Sequence, residues 1–148
     1  MITLPLLSIF LTFAGFIIGL GAVTVIDWHG FLAQKSSYWT VATTRTHKVT
    51  KPLIWFGTIL LILGKYLSYL YIPAVVNTYE FFLLGILILN GCFLSFVISP
   101  YLLEKEKEGK DKNLLPSSIQ LKIKISFIFS FVGWWGLVLL TAYNFSQL

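Results

Sequence analysis

Few side chains in this 148-residue chain are equipped for chemistry, and they fall into three groups. The first follows the stretch GLGAVTVIDWHG, where an apolar, glycine-rich run ends in Asp27 and His29, with Arg45, His47 and Lys48 further along. Two imidazoles and a carboxylate can ligate a divalent metal, and two imidazoles alone can ligate a haem iron. Their spacing forms no H-E-x-x-H or H-x-x-x-H pair. The competing reading is therefore an interfacial tie from Asp27 to Arg45 or Lys48, with the histidines as neighbours of lipid headgroups. The second group is Lys65, inside an apolar run, with Glu80 across a short turn. An ionisable residue at that depth marks a substrate or proton pathway, or else a lysine that snorkels to the aromatic belt of Tyr66, Tyr69 and Tyr71, with or without Glu80 as partner. The third is Trp134-Trp135 between Gly133 and Gly136, which either lines a flat-ligand groove or fills an irregular core.

Other chemistries lack their residues. Cys92 is the single cysteine and Met1 the single methionine, so neither an intramolecular disulfide nor a soft-sulfur copper path can form. No serine and histidine are placed for a hydrolase triad. The glycines of the first run follow no strand and precede no lysine at P-loop spacing, which favours a packing face over a phosphate loop.

The elements that must position these groups follow from composition. The chain is 57 % hydrophobic, 17 % aromatic and 11 % charged, against about 25 % charged in soluble domains. Four apolar runs, about 2–26, 53–72, 79–99 and 123–143, are long enough to cross a hydrocarbon core of roughly 30 Å. The expected fold is an all-α, four-transmembrane-helix bundle forming a single integral membrane domain over 1–148. The first run is read as a permanent helix, since no basic segment precedes it and no small-x-small cleavage site precedes Asp27.

Ten of the eleven basic residues lie in the segments about 27–52 and 100–124. The positive-inside rule makes both connections, about 27–52 and 100–122, cytoplasmic and leaves both termini outside. The net charge of +5 then faces anionic lipid headgroups rather than nucleic acid. Within the first connection, Ser36 or Ser37 is expected to cap a short interfacial helix, and Pro52 to break or kink it before the second span.

Small residues recur at helical intervals on one face of each span. Gly15, Gly19 and Ala22 mark the first, Gly57 and Gly64 the second, Gly85 the third and Gly133 the fourth. Such stripes let helices approach closely where lipid supplies no hydrophobic drive.

The stretch FAGFIIGLGAVTVID, some twenty polar residues, and then THKVTKPLIWFGTILLILG resemble small, uncharacterised four-span bacterial inner-membrane proteins and, more distantly, the membrane domain of copper-resistance D proteins. The resemblance covers the first half of the chain. It implies a four-helix architecture and a multi-pass protein of the bacterial cytoplasmic membrane, and supplies no catalytic residue. Intramembrane histidine or methionine ligands are absent here, so copper activity does not carry over.

Three functions remain open on these grounds. The chain is a non-enzymatic membrane subunit or scaffold, self-associating or joined to another subunit; a haem- or metal-binding redox protein using His29 and His47; or a small permease or proton-coupled carrier using Lys65 and Glu80.

Overall fold

The computed structural model describes residues 3–110 and 112–147, and among them every regular element is helical. The first span, α1 (Leu4–Leu32), starts at Thr3, whose side chain accepts from the Leu6 amide, and has Pro5 in its first turn, where the missing N–H is harmless. It continues beyond residue 26, so Asp27, Trp28 and His29 lie within the helix.

A connection of four residues, 33–36, leads into α2 (Ser37–Tyr71), and here the sequence expectation needs correction. The helix expected before Pro52 forms, but it is not separate: residues 37–52 are nearly the first half of a single 35-residue helix that passes through Pro52. Its threonines satisfy their hydroxyls within the helix: those of Thr40, Thr43, Thr44, Thr50 and Thr58 each donate to the carbonyl four residues back. At about 1.5 Å per residue the helix is roughly 50 Å long, well beyond the hydrocarbon thickness.

A short 3₁₀ turn (Pro73–Val75) leads to α3 (Thr78–Phe93). Its N-terminus is a capping box in which the Asn77 side chain accepts from the Tyr79 amide and Glu80 accepts from the Asn77 amide. A π turn (Leu94–Ile98) joins α3 to α4 (Ser99–Lys107), making one continuous rod, Thr78–Lys107. Pro100 accounts for the irregularity locally. It has no N–H to offer the Ser95 carbonyl five residues back, and that oxygen instead accepts from Lys51 Nζ at 3.3 Å. Gly109, at φ 68°, turns the chain after α4, and α5 (Ser117–Ser146) follows Pro116.

These four rods are long and apolar enough to cross a membrane. They assemble as two pairs. The α1/α2 pair is a backbone seam: a Cβ on Gly15 would lie 2.7 Å from the Leu61 amide nitrogen and 2.8 Å from the Gly57 carbonyl. One on Gly57 would strike the Gly19 backbone, and one on Gly64 the backbone of Thr12. Ala22 is buried on the same side of α1.

In the α3/α5 pair, Gly133 makes room for Leu87. Gly85, expected on this packing face, meets nothing within 4 Å. The buried face of α3 runs instead through Glu80, Leu84 and Leu87, one position out of register with Gly85. Contacts between the two pairs are sparser than within either. There the core forms from Phe16, Val23, Leu61, Leu84, Leu87, Trp134 and Leu137. Trp134 points its ring at Gly19, whereas Trp135 is exposed. The tryptophan pair thus divides between core and outer surface.

Candidate functional site

Two polar clusters sit in the seam between the pairs, on either side of this apolar core. The first joins α2, α3 and α5. Lys65 and Glu80 are 3 % and 1 % exposed and form an ion pair. Lys65 Nζ also donates to Thr141 Oγ1 at 2.7 Å, and the Thr141 hydroxyl donates to the same Glu80 oxygen at 2.7 Å. The other carboxylate oxygen accepts from the Asn77 amide at 3.1 Å. Lys65 therefore does not snorkel to the tyrosine belt. It points inward, onto Glu80 and Thr141.

The second cluster surrounds a cavity of about 100 Å³ toward the end rich in lysine. Asp27 comes from α1, His47, Lys51 and Trp55 from α2, Ser95 from the π turn, and Ser126 and Lys124 from α5. The wall between them is largely apolar, with Ile54, Leu94, Ile98 and Phe127. Lys51 and Trp55 both reach the π turn: Trp55 Nε1 donates to Ser95 Oγ at 3.0 Å, and Lys51 holds the Ser95 carbonyl. His47 Nε2 is buried without a hydrogen-bond partner. Asp27 also borders a smaller adjoining cavity, with Asn90, Ser130 and Trp134. Beside it Ser126 Oγ donates to Asn90 Oδ1 at 2.7 Å, and Asn90 Nδ2 donates to the Ser126 carbonyl at 3.1 Å.

The residues grouped from sequence are divided by the fold. Asp27 and His47 share the cavity. His29 does not line it, because its Nδ1 lies 3.1 Å from Thr46 Oγ1 and its ring packs against Trp39, with centroids 5.2 Å apart. A haem held between His29 and His47 has no common pocket, and the space beside His47 is below the roughly 300–1,000 Å³ of ordinary ligand pockets. No group of three or more His, Cys, Asp or Glu among the described residues is disposed to hold a metal.

The expected tie from Asp27 to Arg45 or Lys48 is also not made. Arg45 is exposed on α2. Lys48 pairs with Glu106 at 2.7 Å, because the helical course of 37–52 carries it alongside α4. Among the described residues Asp27 has no cation within ion-pair distance.

Sequence reasoning missed Lys51, Trp55, Ser95 and Thr141. Thr141 was accessible to it, since the stripe Ser126, Ser130, Gly133 continues at helical steps through Leu137 to Thr141 and Asn144, all buried. Ser95 was not, because the availability of its carbonyl to Lys51 depends on the π register.

Fold and site together define a class: an all-helical protein with four helices able to cross a membrane by length and composition. No protein-family model, curated protein or solved structure matches the chain.

Proposed function

We propose that the chain is a small, non-enzymatic, multi-pass subunit of a bacterial inner membrane, with its basic end in the cytoplasm and both termini outside. The observation that carries this reading is the use made of the intramembrane polar groups. Lys65, Glu80 and Thr141 satisfy one another and join the two helix pairs. None of the three is among the residues lining the cavity beside Asp27 and His47, and the one other hollow that Thr141 borders is an apolar groove between α1 and α5.

Orientation is supported by the Lys48–Glu106 ion pair, which brings the two lysine-bearing segments to one end of the bundle. Exposed Lys35, Arg45, Lys112, Lys122 and Lys124 then face anionic headgroups there. Association with copies of itself or with another subunit uses the outward faces. The glycine seams of α1 and α2 are already engaged within the chain.

The reading is tested by cysteine accessibility in a Cys92→Ser background. Lys35→Cys and Lys112→Cys should react with an impermeant maleimide only after the membrane is opened, and Gln147→Cys should react in intact spheroplasts. The reverse pattern overturns the orientation. Absorption spectra of the purified protein, oxidised and reduced, test the remainder: a stoichiometric Soret band would replace the subunit reading with a redox one.

A further inference from the structure

We propose that the cavity between Asp27, His47 and Lys51 binds a small zwitterionic solute of amino-acid size, its ammonium on Asp27 and its carboxylate on Lys51. This goes beyond a scaffolding role. Opposite charges border one cavity without closing on each other: Asp27 has no ion-pair partner among the described residues, and Lys51 is held toward Ser95 by a single hydrogen bond at 3.3 Å. An ammonium carries three donors, so Lys51 keeps two for a ligand. Were the two charges there only to join helices, they would meet as Lys65 and Glu80 do.

His47 adds a third point of recognition. Its Nε2 is buried and unpartnered, and a buried polar atom left so is destabilising until something bonds to it. The volume of about 100 Å³ is several times the roughly 10–15 Å³ that one water needs, so the cavity has room for several waters. A compact solute that displaces them is the size of the smallest α- and ω-amino acids. Apolar walls lower the local dielectric and strengthen both charge contacts. The location is also typical of ligand sites, which favour the junctions between packed units, and π turns are frequent at such places.

The test uses the full chain purified in detergent. Thermal unfolding is followed with increasing glycine, β-alanine or 4-aminobutyrate, and with propylamine and propionate as single-charge controls at matched ionic strength. At least one zwitterion should raise Tm saturably while neither control does, because a ligand that binds only the folded state stabilises it by mass action. Asp27→Asn should weaken that binding about tenfold or more, through loss of a charge-assisted contact. His47→Gln, which retains a side-chain donor and acceptor, should weaken it less. No saturable shift with any zwitterion overturns the proposal, as does an equal shift with propylamine, which would mark a simple cation site. If Asp27→Asn does not fold, the panel on the native chain decides alone. These outcomes are independent of the accessibility test of orientation.

Discussion

The two polar clusters use the same ingredients and reach opposite states. Each offers a lysine from α2 and a carboxylate from another helix, yet Lys65 and Glu80 are joined while Lys51 and Asp27 stay apart. The difference lies in how the backbone presents them. At the closed cluster, the short connection after α2 and the capping box at Asn77 fix Glu80 within reach of the lysine stem, and Thr141 completes the network. At the open cluster, the Pro100-induced π turn supplies a free carbonyl that draws Lys51 toward the third span. A charge in a bundle is thus a tie or a site according to whether the local backbone offers its partner or a competitor.

The sharpest break of this comparison is Glu80→Ala. It strands a buried ammonium, and removing one partner of a buried pair costs about 3–5 kcal/mol. The double variant Lys65→Met with Glu80→Leu should regain most of that loss, since an apolar pair of similar volume tolerates burial better than a lone charge. Asp27→Asn, with no cation to strand, should shift stability by no more than about 1 kcal/mol. Denaturant unfolding in mixed micelles measures all three. Equal losses in Glu80→Ala and Asp27→Asn would erase the distinction between tie and site.

The helix seams permit a second contrast of intermediate size. Ala at position 57 would drive its Cβ into the Gly19 backbone, which cannot yield as a side chain can, so Gly57→Ala should cost about 1–3 kcal/mol. Gly85→Ala meets open space in a helix and should be neutral or stabilising by up to about 1 kcal/mol. If the two behave alike in thermal unfolding, the α1/α2 seam is looser than its geometry implies.

Those glycines also mark where the sequence was legible. The four spans followed from apolar length alone, which depends on composition and little on neighbours. The stripes of α1, α2 and α5 were legible because helical periodicity places Gly15 and Gly19, Gly57 and Gly64, or Ser126 and Ser130, on one buried side each. On α3 the stripe failed, because Glu80 is drawn inward to Lys65 and turns Leu84 and Leu87, not Gly85, toward the core. The helical course of 37–52 was legible in its periodicity, whereas its continuity through Pro52 into the rest of α2 was not, because proline ordinarily breaks or kinks a helix interior. Of the candidate site, Asp27 and His47 were visible as residue types. Their separation from His29 was not, because it rests on a rotation about the α1 axis that one histidine in the sequence cannot reveal.

The smallest effect belongs to the contact that most resembles a tie from outside. Lys48 and Glu106 meet at 2.7 Å but are 48 % and 27 % exposed, so water already solvates both charges and screens their attraction. Glu106→Gln should therefore lower stability by less than about 1 kcal/mol, and the loss should shrink further as salt is raised from 50 to 500 mM. Glu80→Ala should be nearly indifferent to the same salt, since ions do not enter the seam. Comparing the two variants across that range separates geometry from environment: both lysines hold a carboxylate at short distance, and only the one shielded from water should matter to the fold. A salt-insensitive loss of 2 kcal/mol or more in Glu106→Gln would instead place α4 among the structural fastenings of the bundle.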